Sequence, residues 1–495
     1  MFLSIVIHTA NILGIFTDPF EFEGDYGAEA NPIRQKVFER VVSKEAISKN
    51  LSDSEVQKIM LENQVVGQTI PEHREKLIAE ALRRDQAYGP LLSELITPEL
   101  IYELTRKQKE LQGVGFTPDD LDQMLSFLQC YGEQKAFYFF RNCPKELLSV
   151  DKKLRDKASR EGRSFDLPIL SSTQILTGRT ATELKKELLN ALFTEEKLKD
   201  TAPYKLFFYW AYQALNLQLV SENPEMIEQI NRVKTIFLQT IGNPQARAAR
   251  FKEKLIEAHS QLLFTQECAR EVVQALTKDG LFLPVEGQNP QDGCFVFLRS
   301  EMWELDYEVI SIEGYAGFRE GRMNVILATQ KETGTKFLLA SCHGNSTQAE
   351  DGRLQIALVM EKFHQLVEKI PDLQLVIGID ANTKTEGEVE LLRKQLDALG
   401  LVGTKVGPTT IKRRMVTTQH AKSGRIAVDE EDYLITLKPK ALKRRVLGIY
   451  PEGGGLFLLT HPTVGFKEEK ADISKPLPNQ ENPSDHYPVG VTLAR

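Results

Sequence analysis

The chain has 495 residues, a formal net charge of −7, and 41% hydrophobic and 26% charged residues. That length exceeds what one hydrophobic core serves, so two domains are expected, and the ordinary composition excludes a chain dominated by disorder. The acidic balance excludes a global attraction to nucleic acid or anionic membrane, while leaving room for a local basic surface.

The opening segment MFLSIVIHTANILGIF is apolar but has no basic n-region and no small-residue cleavage site, and His8 and Asn11 interrupt it. It reads as a buried strand covered on both faces, in preference to a signal peptide. From about residue 33 to 243 the pattern turns helical. Stretches such as EVQKIMLENQVV, EKLIAEALRRD, LDQMLSFLQCYG, ATELKKELLNALF and MIEQINRVKTIFLQTIG space apolar residues at three and four with charges between. Prolines 71, 90, 98, 118, 144, 168, 203 and 224 cut this region into short helices, and no fixed repeat points to a solenoid. The apolar KLFFYWAYQALNLQLV (205–220) carries Gln213, Asn216 and Gln218 and is short for a bilayer span, so it reads as a central buried helix and no transmembrane segment is expected.

After Pro244, a helix carrying Leu255 and Ile256 on one face leads into the strand LLFTQE. GCFVFLRS is a strand, RMNVILATQ and TKFLLASCH form a hairpin-like pair, and RLQIALVMEKFHQLVEKI is a helix leading into the strand LQLVIGID. Further strands are expected in EDYLITL, RRVLGIY and LFLLTHP, the last two separated by the turn PEGGG. The five cysteines, Cys130, Cys143, Cys268, Cys294 and Cys342, lack metal-finger spacing. They read as free thiols of the cytoplasm or another reducing compartment; secretion without a cleaved signal peptide stays compatible with them.

Polar residues stand at the ends of several of these strands. They are Asn11 in IHTANILG, Glu267 in LLFTQEC, His343 in LLASCHGNS, Asp380 and Asn382 in LVIGIDANT, Asp432 in DEEDYLIT, and Asp485 with His486 in NPSDHYPV. Oxygen donors for a divalent cation, amides for phosphate oxygens and a histidine steered by a carboxylate are the mix that metal-assisted cleavage of phosphate esters requires. The ordered series resembles the endonuclease/exonuclease/phosphatase family, over residues 1–16 and 244–495. The resemblance implies an α+β fold: a four-layer sandwich of two packed mixed sheets covered by helices, its catalytic loops at one edge. Residues 17–243 then form an all-α domain inserted after the first strand. Strand alternation alone does not distinguish this sandwich from other layered folds.

The resemblance also implies roles. Asn11, Glu267 and Asp485 are the expected ligands or outer-sphere partners of Mg2+, with Mn2+ as a substitute, since Mg2+ takes few carboxylates and keeps its waters. Asp380 is expected to hold the attacking water and Asn382 a non-bridging phosphate oxygen, because residues two apart in an extended segment point the same way. One departure from the family pattern is Ile379, which stands between Gly378 and Asp380. His486 is the expected water-activating or charge-stabilising imidazole and Asp432 the carboxylate that fixes its tautomer, with Asp429, Glu430 and Glu431 as neighbouring carboxylates that a register error would exchange for it. His343 is expected to protonate or polarise the phosphate. The competing readings are a capping carboxylate for Glu267, an Asx turn for Asp380 and Asn382, a surface turn for S-D-H and a satisfied loop histidine for His343.

Residues 399–428 hold Lys405, Lys412, Arg413, Arg414, Lys422 and Arg425 and no acidic residue before the end of the stretch. Lys412, Arg413, Arg414 and Lys422 are the expected grip on phosphates beyond the scissile one, against the plainer reading of a solvated basic loop. Substrates of either kind are polyanionic: nucleic acid for a phosphodiesterase, or a phosphorylated inositol or lipid headgroup for a phosphomonoesterase. No Trp flanks GIDANT or DYLIT, as it does in the inositol 5-phosphatase branch. A third reading is a vestigial catalytic domain whose helical insert recruits a protein partner.

Overall fold

The computed structural model describes residues 4–12, 19–20, 24–41, 53–62, 64–142, 175–176, 180–290, 292–312, 321–346, 348, 350–413, 426–438, 458–464, 477–479, 482 and 484–494. The chain divides into two compact units: residues 17–238 with 414–425, and residues 1–16 with 239–413 and 426–495.

The first of these is built of helices: α1 (Ala30–Val41), α2 (Asp53–Glu62), α3 (Ile70–Ala87), α4 (Pro98–Leu111), α5 (Pro118–Tyr131), α6 (Ala136–Asn142), α7 (Ala181–Leu192), α8 (Glu195–Asp200), α9 (Pro203–Ser221) and α10 (Pro224–Gln239). Their starts are written in the sequence. Thr69, Thr97, Thr117 and Thr180 each accept a hydrogen bond from a first-turn amide, and a proline opens α4, α5 and α9 where its missing N–H costs nothing. Helix α9 buries Leu206, Phe207, Trp210, Ala214 and Leu215 almost completely, so it is a core helix apolar on nearly every side. No helix among the described residues is long and apolar enough to cross a membrane.

The other unit holds two mixed sheets. One has the order β12 (Leu458–Val464), β13 (Val489–Ala494), β1 (Ser4–Asn11), β2 (Leu262–Gln266) and β3 (Phe295–Leu298). The second runs β4 (Glu308–Val309), β5 (Met323–Thr329), β6 (Lys336–His343), β7 (Gln374–Asp380), β11 (Asp432–Leu437) and β8 (Leu401–Gly403). A separate pair joins β9 (Thr410–Arg413) to β10 (Ile426–Asp429). The sheets pack face to face through Ile7, Phe264, Val296, Leu339, Val376 and Leu434. Helices α11 (Pro244–Glu257) and α12 (Arg270–Thr277) supply apolar residues for the outer face of the first sheet. Helices α13 (Glu350–Val367) and α14 (Glu386–Leu399) do the same for the second, completing the four layers of an α+β sandwich. Where the two sheets meet, a β-carbon on Gly378 would lie 2.4 Å from the Phe264 ring, so the glycine of GID is needed for the sheets to close.

Several sequence expectations shift. Leu255 is buried, but Ile256 is 42% exposed, because a hundred-degree step along α11 carries it off the packed stripe. The strand expected in LFLLTHP begins at Leu458, and RRVLGIY lies outside the described residues. Helices α12 and α14, the strand β13 and the short strands β4, β8, β9 and β10 are additions.

Pairing direction is what creates a common rim. Strands β1 and β2 are parallel, as are β6 and β7, so their C-terminal ends point the same way. The registers Asn11↔Gln266 and His343↔Asp380↔Asp432 align those ends across each sheet. Because side chains alternate, Asn11 shares a face with Ile5 and Ile7, and Asp380 with Val376 and Gly378, which is the inner face.

Candidate active site

Beneath the rim lies a polar layer. Gln266 donates from Nε2 to Thr9, to Ser341 Oγ at 3.2 Å and to the Gly378 carbonyl at 3.3 Å, and Ser341 donates to the Thr265 carbonyl at 2.7 Å. A buried amide satisfied from both sheets locks their relative register, since leaving it unpaired costs more than the bonds return.

Above this floor the side chains converge. Asn11 Nδ2 donates to Asp380 Oδ2 at 2.8 Å and to Glu267 Oε1 at 3.4 Å. His343 Nε2 stands 3.6 Å from Glu267 Oε1 and 3.7 Å from Asp380 Oδ2. Asn382 turns its backbone N–H onto Asp380 Oδ1 at 2.9 Å and donates from Nδ2 to the Gly344 carbonyl at 2.9 Å. Both Glu267 (φ 50°) and Asn382 (φ 52°) occupy the left-handed region. Asparagine tolerates it well, whereas a glutamate there stores strain of a kind that clusters at functional sites. Gly293 makes the Glu267 kink feasible, since a β-carbon there would meet the Cys268 nitrogen at 2.3 Å.

His486 is held on all sides. Its Nδ1 lies 2.9 Å from Asp432 Oδ2 and 3.2 Å from Thr410 Oγ1; its Nε2 lies 3.7 Å from Glu431 Oε2 and 3.9 Å from Asp485 Oδ1. The segment carrying it is pinned where Ser484 Oγ donates to the Asn11 carbonyl at 2.8 Å and the Tyr487 N–H to the Thr409 carbonyl at 2.7 Å. Burial alone would push the imidazole down, but Asp432, Asp485 and Asp380 outweigh it and hold His486 well above its ordinary value. His343 follows the same logic. Burial lowers it, and the Asp292 hydrogen bond at 3.2 Å together with Asp380 and Glu267 raises it further than that. Asp292 is itself paired with Arg322 at 3.0 Å, and Gln355 Nε2 steadies the His343 carbonyl at 2.9 Å.

Thus Asn11, Glu267, His343, Asp380, Asn382, Asp432, Asp485 and His486 meet at one rim through the distances above. The basic residues are placed differently. Lys412 and Arg413 lie on β9, opposite Ala427 and Ile426, and this strand starts at Thr410, which bridges to His486. Arg414 and Lys422 lie outside the described residues. Of the carboxylates in DEED, Asp432 is the one on Nδ1, while Glu431 is fully buried beside Nε2. Asp292, Arg322, Thr409, Thr410 and the placement of Glu431 escaped the sequence reading. Asp292 sits in a loop, QNPQDGC, with no periodic or motif signal; Glu431 could have been singled out only by knowing that β11 begins one residue later.

No protein-family model matches the chain, and no curated protein matches it. Among solved structures it is similar to TDP2 of D. rerio in complex with a single-stranded DNA product, at 16% identity over 50% of this chain and 91% of that one, with a TM-score of 0.34. The endonuclease domain of TRAS1, a telomere-specific non-LTR retrotransposon, matches at 14% identity over 50% and 91%, with a TM-score of 0.30. ANGEL2, a 2′,3′-cyclic phosphatase, matches at 14% identity over 50% and 85%, with a TM-score of 0.34.

Proposed function

We propose that this chain is a divalent-metal-dependent hydrolase of phosphate esters of the endonuclease/exonuclease/phosphatase type, and within that class a phosphodiesterase acting on nucleic acid. The observation that carries this reading is the meeting of two histidines, each with its own carboxylate, with Asn11, Glu267 and Asp380 at the aligned ends of parallel strands from two sheets.

The donor set fits a hard cation. Glu267 is the most open of the rim carboxylates, its side chain 38% exposed, and the Asn11 Nδ2 donor holds its oxygen together with that of Asp380, so carboxylate oxygens gather where a hydrated Mg2+ or Mn2+ takes one or two protein ligands. When bound, the ion would stabilise the negative charge of the phosphate in the transition state. Glu267 and Asn11 would hold it, with Asp485 as an outer partner.

The chain's own groups then divide the work. Asp380, oriented by Asn11 and the Asn382 amide, holds the attacking water and takes its proton. Asn382 offers its second Nδ2 hydrogen to a non-bridging oxygen. His486, its Nδ1–H directed to Asp432, presents Nε2 for a proton to the phosphate, and His343, its Nδ1 directed to Asp292, presents Nε2 on the Glu267 side. The β9–β10 pair, joined to His486 through the Thr410 bridge, carries Lys412 and Arg413 in its sequence, which favours an extended polyanion.

The test is a parallel panel of single-stranded and duplex nucleic acids, inositol phosphates and phospholipids, with chelator or with added Mg2+ or Mn2+. Metal-restored cleavage of nucleic acid that falls steeply with salt is the expected result. Cleavage of inositol phosphates alone would overturn the substrate assignment, and undiminished cleavage in chelator would overturn the metal assignment.

A further inference from the structure

Arg247 is a buried cation, 4% exposed, that the mechanism above does not use. Its backbone N–H donates to the Asn243 carbonyl at 3.0 Å, which places it in the first turn of α11, where the helix dipole disfavours positive charge. Burial disfavours the charge as well and lowers the guanidinium to about 10, which still leaves it cationic at neutral pH. Neither the helix nor the core accounts for a cation here, so the groups around it must.

Those groups gather at the end of β1. Arg247 Nη2 donates to the Ile12 carbonyl. The Ile12 N–H donates to the Gln266 carbonyl at 2.9 Å, one residue before Glu267, and the Asn11 carbonyl accepts from Ser484 Oγ at 2.8 Å, one residue before Asp485. Arg247, Glu267 and Asp485 are thereby tied to the same two residues, and Asn11 Nδ2 itself reaches Glu267 Oε1 at 3.4 Å. Asp485 and Glu267 are among the groups that oppose the fall burial imposes on the guanidinium. Ala248, Phe251 and Leu255 of α11 share one buried cluster with Ile12 and Cys268, which fixes the helix and with it the base of the Arg247 side chain.

We propose that Arg247 is a positioning residue for the divalent ion: a resident positive charge that counters Glu267 and Asp485 and keeps the ion weakly held and exchangeable. The inference rests on the functional reading above, in which those two carboxylates serve the ion. Two cations that face the same carboxylates repel each other, so neutralising the fixed one strengthens divalent binding, whereas damage to the site weakens it. The direction of the change therefore separates an electrostatic role from a structural one. Without metal, the same substitution leaves the carboxylates less compensated, so Mn2+ should stabilise the variant more than it stabilises the wild type.

The test is Mn2+ titration of the full chain, with free ion read by electron paramagnetic resonance, for wild type, Arg247→Met, Arg247→Lys and Glu267→Gln. Arg247→Met is expected to bind Mn2+ about tenfold more tightly, and Arg247→Lys within about twofold of the wild type. Unchanged or weaker binding in Arg247→Met overturns the proposal, and it leaves the functional reading standing if Glu267→Gln loses the ion. Binding that is indifferent to Glu267→Gln overturns the metal assignment itself. Should Arg247→Met fail to fold without metal, Mn2+ is expected to recover its cooperative melting transition. No recovery at concentrations that saturate the wild type overturns the proposal.

Discussion

The two units bury polar groups for opposite ends. In the helical unit the buried polar residues among those described are Arg34, His73, Gln108, Thr201, Asn216 and Lys234, with no carboxylate among them. Arg34 shows the pattern: it donates to the carbonyls of Pro19 and Gly24 at 2.9 Å each and lies over the Tyr26 ring at 3.4 Å, a cation satisfied locally. The sandwich instead concentrates Asp380, Glu431, Asp432 and Asp485, all buried, at one rim. Like charges gathered in low dielectric destabilise the fold that carries them, so their presence marks a task other than stability. A helical core is maintained by packing; this rim is maintained against its own electrostatics.

The comparison can be broken most directly at the rim. Asp380→Ala and His486→Ala are each expected to reduce hydrolysis by about 10²- to 10⁴-fold, measured as kcat on the substrate that the panel identifies. The metal-free Asp380→Ala protein should melt no lower than the wild type, because one member of a like-charge group has been removed. Near-normal turnover in either variant would reject the assignment.

In the helical unit the expected signature is reversed. Leu215→Ala, in the fully buried stretch of α9, should cost about 2–5 kcal/mol in denaturant unfolding while leaving turnover per folded molecule unchanged. A kcat that falls with the packing would mean that the helical unit takes part in the chemistry.

His8 sharpens the contrast within the sandwich itself. Burial pushes it down to about 4, so it is neutral in the fold while the unfolded chain protonates near 6.5. Between those values the unfolded state binds more protons, and stability therefore falls as pH drops, by about 3 kcal/mol at the low end. His343 and His486 have the opposite sign, their contribution being present at low pH and lost as pH rises through their elevated values. The difference between wild type and His8→Gln, followed by urea unfolding from pH 7.5 to 4.5, isolates the first effect; a pH-independent difference would show that His8 is not neutral in the fold.

The smallest effect is expected at Asp292→Asn, where about a tenfold loss of kcat should accompany a nearly unchanged KM. His343 there keeps Asp380 and Glu267 within 3.7 Å, so its position is only loosened. A loss as large as that of His486→Ala would make the two histidines equivalent.

Much of this was legible in the residues. Apolar runs ending in Asn11, Glu267, His343 and Asp380 read as buried strands with polar ends, and Thr–Pro pairs before α4 and α5 announced helix starts, because hydrophobic period and capping chemistry are local properties. What local chemistry cannot specify is which strand ends lie side by side. The parallel pairing of β1 with β2 and β6 with β7, and the register Asp380↔Asp432, arise from packing two sheets through Phe264 against Gly378. Asp292 beside His343 and Glu431 beside His486 are joined across 51 and 55 residues of chain. Neither belongs to a periodic pattern, so only the folded chain could decide that each histidine faces more than one carboxylate.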